Sequence, residues 1–197
     1  MSQEKKYFRF KTTLRLSTYL NNIVAGPYKR FDCPADKLYR DIPMAVYVRQ
    51  CMAEYAEASL DDIFEVHAKG MEFYSQFFAF DYPFSKCDAI FCCNYTVGAM
   101  EYPGAITYNE QVYLIKKLSL SKFEKSNRGR VILHELAHMW FGNTVTMKWW
   151  NDLWLNESFA DFCCFEAWNA IINKVNFEMS NGWVSFLNRK AWAFQED

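Results

Sequence analysis

The sequence reads His134-Glu135-Leu136-Ala137-His138 in its C-terminal half, and Glu157 follows nineteen residues after the second histidine. An α-helix advances roughly 100° per residue, so His134 and His138 project from one face about a turn apart. Two imidazoles and a carboxylate can hold one tetrahedral zinc ion and leave the fourth position to water. Glu135 falls beside the histidines, where it takes a proton from that water instead of binding the metal. The pattern predicts a zinc site with its own general base.

The same five-residue string also occurs on ordinary amphipathic helices, where the histidines only satisfy local hydrogen bonds. Here a second helix-like stretch carries Glu157, and Asp161 lies one turn further along the same face. Such a carboxylate is placed to bind the far side of a ligand histidine and orient it. The combination favours the metal site over the purely structural explanation.

The composition of the chain indicates which classes of protein it can belong to. The chain has 197 residues, 51% of them hydrophobic and 19% aromatic, which is ample for one sizeable domain. A net charge of −1 and the lack of a basic stripe argue against nucleic-acid binding. The longest apolar runs are too short to span a membrane, so we expect no membrane segment in this chain. The high aromatic content suggests that some of its surface packs against parts of the protein outside these residues.

The seven cysteines form an odd set without CxxC spacing. They are expected to be reduced, mostly buried thiols in a reducing compartment. The first residues lead to no hydrophobic signal core. We therefore expect a cytoplasmic location.

Local patterns predict a mixed α+β chain. Extended structure is expected from Tyr7 to Tyr28, and a helix from Ser59, with Asp62 completing a capping box, to about Phe80. The third histidine, His67, is expected to be structural or exposed. The other expected elements are strands at 44–48 and 89–93, a strand within 95–108, a helix from Ser126 or Asn127 to about Gly142, a second helix that carries Glu157, and a helical end from Trp183.

Two longer stretches resemble one known family. Residues 134–143 and 149–157 resemble the zinc signature of the M1 zinc aminopeptidases, a branch of the gluzincin metallopeptidases. Gly98-Ala99-Met100-Glu101 resembles the exopeptidase motif of that family. Residues 17–20 and 82–86 are also similar, so the resemblance runs from about Phe10 onward.

The resemblance implies a fold and a division of the chain. Residues 31–197 would be the first part of a thermolysin-like (gluzincin) catalytic domain, which is incomplete here. Residues 1–30 would be the last strands of a preceding N-terminal β-domain. The rest of that domain and a helical C-terminal domain would be missing from this chain.

The resemblance also implies roles for the site residues. His134, His138 and Glu157 would bind one Zn²⁺, and Glu135 would activate the attacking water. Glu101 would hold the free α-amino group of a peptide substrate, beside a backbone lined by Gly98, Ala99 and Met100. These roles describe an aminopeptidase that acts on peptides with a free N-terminus.

The chain departs from the family at several points. Tyr102, Ser158 and Cys164 stand where the family usually has asparagine, glycine and a carboxylate. If the last served to orient a ligand histidine, Asp161 is the available substitute. The chain ends 40 residues after Glu157, before the tyrosine that the family supplies to the transition state. A non-catalytic, truncated zinc- or peptide-binding fragment is therefore the alternative, while a zinc endopeptidase has no need of the Glu101 motif.

Overall fold

The computed structural model describes residues 7–114, 117–172 and 182–196. Within them, five strands form one mixed sheet with the order β1-β2-β3-β5-β4. The β1–β2 and β4–β5 pairs are antiparallel, whereas β2–β3 and β3–β5 are parallel. The strands are β1 Tyr28–Asp32, β2 Ala45–Arg49, β3 Asp88–Cys92, β4 Ala99–Met100 and β5 Ala105–Asn109.

Helices cover the remainder of the described core. They are α1 Ala53–Glu57, α2 Leu60–Phe77, α3 Glu110–Tyr113, α4 Lys122–Trp140, α5 Leu153–Ile171 and α6 Gly182–Glu196. Short 3-10 turns occur at Thr18–Leu20, Ala35–Lys37, Gln50–Met52 and Trp150–Asp152. Mixed strand pairing with several helices confirms the α+β class. No helix among the described residues is both long and apolar enough to pass through a membrane.

Helix α4 lies at the centre of the helical layer, between α2 and α5. It packs tightly against α2 at Gly70, where an added Cβ would lie 2.8 Å from the side chains of Leu133 and Leu136. The hydroxyl of Tyr74 donates a hydrogen bond of 2.9 Å to the carbonyl of Leu133. These contacts bury the helix and fix its rotation, and with it the direction of the histidine pair.

Helix α4 begins earlier than the sequence prediction of Ser126 or Asn127. Ser121 and Glu124 form a capping box, in which each side chain binds the backbone N–H of the other residue. The box satisfies the backbone N–H groups of Ser121 and Glu124, which have no partner within the first turn, so the helix begins at Lys122. The capping box predicted at Ser59 is wrong, because the Ser59 side chain makes no capping hydrogen bond. Its partner Asp62 is instead paired with Lys125 and Arg128 of α4.

The strands expected between residues 7 and 27 do not form. This described stretch contains only the 3-10 turn at Thr18–Leu20, and the first strand begins at Tyr28. A strand needs a hydrogen-bonded neighbour, and no strand of the described residues pairs with this stretch. Most of its apolar side chains remain in solvent, and Ile23 is 96% exposed, whereas Leu20 is buried. The division of the chain into domains at residue 30 stays a prediction.

The cysteines agree with their sequence prediction. All seven lie within the described ranges and are free thiols. Burial raises the pKa of Cys87 and of Cys163 to about 12, so both stay protonated at neutral pH.

Candidate metal centre

Helices α4 and α5 bring the three predicted zinc ligands together. Nε2 of His134 lies 3.2 Å from Nε2 of His138 and 3.2 Å from Oε2 of Glu157. Nε2 of His138 lies 3.6 Å from the same oxygen. Ligand atoms of a tetrahedral zinc ion, each about 2.0–2.1 Å from the metal, stand roughly 3.3 Å apart. The donor atoms therefore fit a zinc ion in both type and spacing.

The far side of each imidazole also has a partner. Nδ1 of His138 donates to the carbonyl oxygen of Phe141 at 3.2 Å, which leaves the lone pair of Nε2 facing Glu157. Nδ1 of His134 lies 3.7 Å from Oδ1 of Asp161. Both rings are thus held in the orientation that presents Nε2 to the centre of the cluster.

The electrostatics of this cluster favour a positive charge. Burial would lower the pKa of His134, but the carboxylates of Asp161 and Glu157 outweigh it and raise that pKa to about 10. The adjacent imidazoles of His134 and His138 lower the pKa of Glu157 well below its usual range. A cation at the centre of the cluster would therefore find an ionised carboxylate and two oriented imidazoles.

The thiol of Cys164 contacts the backbone of α4. It donates to the backbone carbonyl of Arg130 at 3.2 Å. Asp161, one turn earlier on α5, is the carboxylate that reaches His134. Asp161, which was expected to replace the carboxylate missing at Cys164, therefore lies beside His134, the histidine that it was expected to orient.

Glu135 lies beside the histidine cluster in a buried position, with only 5% of its surface exposed. Burial raises its pKa to about 7, because the low-dielectric surroundings disfavour the carboxylate and the two histidines offset this only in part. One oxygen each of Glu135 and Glu101 and a ring nitrogen of His138 lie within 4.8 Å of one another. Two buried carboxylates therefore meet next to the candidate metal position.

Glu101 follows strand β4 and is 4% exposed. Asn143, just after α4, donates a hydrogen bond of 2.7 Å to its backbone carbonyl. The first residue of the motif, Gly98, is closely packed against Tyr113, because an added Cβ would stand 3.1 Å from the tyrosine hydroxyl. The motif therefore leaves little room for side chains at its first position, and its last residue is held against the loop that follows α4.

Sequence reasoning missed three polar residues that surround Glu101. The sequence patterns predicted no role in the site for Asn143 or Asn156. Tyr19 belongs to the stretch 17–20 that resembled the family, but its role was not predicted. Its hydroxyl donates to Oε1 of Glu101 at 3.1 Å and accepts from Nδ2 of Asn156 at 3.4 Å. No local pattern signals a contact across 82 residues of chain.

The third histidine lies outside the site. His67 is buried on α2, where Nδ1 donates to the carbonyl of Ile63 at 2.8 Å and Nε2 accepts from the hydroxyl of Tyr108 at 3.2 Å. These two hydrogen bonds give His67 a structural role, which is one of the two alternatives expected from the sequence.

The mixed sheet and the helix-borne cluster of two histidines and a glutamate are typical of a metallopeptidase domain. Residues 63–197 match the family model described as Peptidase family M1 domain. The chain belongs to peptidase family M1, which confirms the resemblance found in the sequence.

Several curated proteins are similar to this chain. The chain is 38% identical to an aminopeptidase N of Streptomyces lividans over 191 residues, which cover 96% of this chain and 22% of the relative. It is 36% identical to a puromycin-sensitive aminopeptidase of Caenorhabditis elegans, over 94% of this chain and 18% of the relative. A tricorn protease-interacting factor F2 of Thermoplasma acidophilum is 40% identical over 83% of this chain and 20% of its own length. The chain thus spans about a fifth of the length of these relatives.

Proposed function

We propose that this chain is part of the thermolysin-like (gluzincin) catalytic domain of a zinc-dependent aminopeptidase. The enzyme would hydrolyse the first peptide bond of peptides with a free N-terminus. One observation carries the proposal: the donor cluster of His134, His138 and Glu157 adjoins a pair of buried carboxylates. One site would then hold a metal-binding group, a base and an acceptor for an ammonium group.

His134, His138 and Glu157 would hold one Zn²⁺ ion in this site. When bound, zinc supplies a Lewis acid for the scissile carbonyl and lowers the pKa of water to about 7. Asp161 would keep the imidazole of His134 in its binding orientation. The spacing of the three donor atoms and the ionised state of Glu157 support this assignment.

Glu135 would act as the general base. Its carboxylate would accept the proton of the attacking water and then pass that proton to the amine that leaves. A base works best when its pKa lies near the working pH, because it is then both ionised and basic enough. Burial raises the pKa of Glu135 to about 7, which supports this role.

Glu101 would set the register of cleavage. A buried carboxylate is unfavourable without a partner, and the α-ammonium group of a peptide offers a full charge and three donors. Its place near Glu135 would position the first peptide bond for attack. Gly98, Ala99 and Met100 lie at strand β4, the edge of the sheet, where an extended peptide could add its backbone hydrogen bonds.

The alternative is a non-catalytic fragment that binds zinc or peptides. Under this alternative, the cluster of His134, His138 and Glu157 would bind a metal ion, but Glu135 would have no catalytic role. Further N-terminal and C-terminal domains would complete the enzyme under the main proposal. The seven free thiols support a cytoplasmic location, because reducing compartments keep cysteines unpaired.

Two measurements test the proposal on the protein expressed from its full reading frame. Metal analysis should give about one zinc per molecule, and its absence would contradict the ligand assignment. An aminoacyl fluorogenic amide should be cleaved, whereas its N-acetylated form should not. Equal cleavage of both would remove the role of Glu101, and cleavage of neither by a zinc-loaded protein would support the non-catalytic alternative.

The variant Glu101→Gln sharpens the second measurement. It keeps the size of the side chain and removes the charge that pairs with the ammonium group. It should raise the KM of the free-amine substrate, while zinc content stays unchanged. Glu54→Gln, an exposed glutamate on α1, is the matched control and should leave both values as in the wild type.

A further inference from the structure

We propose that Tyr19 is a positioning residue that fixes the carboxylate of Glu101 for binding the substrate amine. The inference rests on the proposed function, because it assigns Tyr19 a purpose only if Glu101 binds that group. Tyr19 lies in a stretch outside the sheet and the long helices, at the short 3-10 turn Thr18–Leu20. Its hydroxyl nevertheless contacts Glu101, the buried last residue of the motif that begins at Gly98.

The contact between the two side chains is direct. The hydroxyl of Tyr19 donates to Oε1 of Glu101, with 3.1 Å between the two oxygens. Burial and the nearby charge of Glu101 raise the pKa of Tyr19 well above its usual value, so the hydroxyl keeps its proton at every working pH. Tyr19 therefore acts as a permanent donor to the carboxylate.

The hydroxyl is itself held in place from α5. Nδ2 of Asn156 donates to it at 3.4 Å, which uses a lone pair of the tyrosine oxygen and directs its hydrogen toward Glu101. Asn156 is buried and immediately precedes Glu157. The amide of Asn156 also lies against the backbone at Gly142, where an added Cβ would stand 2.5 Å from Oδ1. The same helix turn therefore serves the metal cluster and the amine-binding carboxylate.

The ring of Tyr19 has a separate contact. It meets the indole of Trp150 edge-on, with ring centroids 5.7 Å apart. This contact alone could anchor the stretch around Tyr19 to the 3-10 turn Trp150–Asp152 before α5, without any role for the hydroxyl. A structural role would thus depend on the ring, whereas the positioning role depends on the oxygen.

The positioning role has a specific kinetic consequence. Tyr19 engages Oε1 of the carboxylate, which leaves Glu101 with acceptor capacity for the substrate amine. Without this donor, the substrate itself would have to order the carboxylate on binding. The loss should therefore appear in KM for substrates with a free amine more than in kcat.

The test compares Tyr19→Phe with Tyr19→Leu in the protein expressed from its full reading frame. Tyr19→Phe keeps the ring and removes the hydroxyl, so KM for the aminoacyl amide should rise about 10-fold, typical for one lost hydrogen bond to a charged group. Zinc content should stay at the wild-type value, and kcat should change by less than about threefold. Tyr55→Phe, a half-buried tyrosine on α1, is the matched control and should match the wild type.

A double-mutant cycle decides whether Tyr19 acts through Glu101. In the Glu101→Gln background, Tyr19→Phe should have little further effect on KM, because the group that it positions is already gone. Effects that multiply in the double variant would overturn the inference. Wild-type kinetics for Tyr19→Phe, with a loss only in Tyr19→Leu, would also overturn it and assign Tyr19 a structural role. Equal cleavage of free and acetylated substrates by the wild type would instead refute the proposed function, and this inference with it.

Discussion

Oδ1 of Asp161 lies 3.7 Å from Nδ1 of His134, while Nε2 of the same ring faces Glu157 at 3.2 Å. The imidazole is therefore fixed between two carboxylates that stand one helical turn apart on α5. Such a carboxylate behind a ligand histidine sets its tautomer and raises its basicity. Asp161 and Glu157 of α5 thus both contact His134, the candidate ligand on α4.

Asp161→Asn should weaken zinc binding by about 10- to 100-fold, because the amide keeps the shape but loses the charge that orients His134. Competition with a chromophoric zinc chelator measures the change. Glu166→Gln on the same helix is the matched control, and its affinity should equal that of the wild type. An unchanged dissociation constant for Asp161→Asn would show that the contact does not support the metal site.

Glu135→Gln should abolish most peptide hydrolysis while the protein retains its zinc. Loss of a general base typically lowers the rate by about 10²- to 10⁴-fold, and an amide cannot accept the proton. Steady-state rates and metal analysis of the same preparation measure both properties. Activity close to the wild type would assign the base to another group, and loss of zinc would mean that Glu135 supports the ligands.

The stability of the fold should depend on pH through His67. Burial lowers its pKa to about 4, below the value of about 6.5 that applies to the unfolded chain. Above pH 6.5 the ring is neutral in both states, so its contribution is fully present. As pH falls from 6.5 to 4, the unfolded state binds a proton that the folded state refuses, and up to about 3 kcal/mol of stability is lost.

Urea unfolding of the wild type and His67→Gln at pH 7 and pH 5 checks this prediction. The variant should be less stable at pH 7, because it loses a buried ring and its hydrogen bonds. The difference between its two pH values should, however, be smaller than in the wild type. Equal pH dependence of the two proteins would assign the titration to other groups.

Gly142→Ala should destabilise the protein and disturb the site together. Gly142 has a φ of +124°, a region that strains residues with a side chain, and its new Cβ would stand 2.5 Å from Oδ1 of Asn156. Strain of this kind costs on the order of 1–3 kcal/mol. A lower melting temperature should therefore accompany a raised KM, since Asn156 contacts Tyr19. Gly26→Ala is the control, because its φ lies outside that region and its new Cβ would meet only the ring of Tyr28.

The candidate site was largely readable from the sequence because its spacing is local. The pair at positions 134 and 138 needs only a helix, and the position of Glu157 follows from a second helix packed against it. Helix α2 was also predicted, since its apolar positions repeat with helical period. The sequence could not predict how the imidazoles of His134 and His138 are oriented, because their orientation depends on contacts with Asp161 and with the carbonyl of Phe141.

The wrong sequence predictions also have physical causes. Alternating apolar residues before Tyr28 suggested strands, but strand formation depends on a partner that local sequence does not reveal. The sequence prediction starts α4 too late because Ser126 and Asn127 are residue types that favour the N-cap position. In the structure, Ser121 and Glu124 form the capping box. The approach of Tyr19 to Glu101 is a tertiary contact, so it could be seen only in the folded chain.

The packing of α4 on α5 has a consequence for the entropy of ligand binding. Eighteen residues separate His138 from Glu157, and closing a flexible loop of that length costs about 2–3 kcal/mol. The rings of Phe141 and Phe159, with centroids 4.4 Å apart, pack at the mouth of this loop. We therefore expect this hydrophobic contact to offset the cost of loop closure during folding. The affinity for a bound ion would then depend on coordination and dehydration, and not on the ordering of the chain.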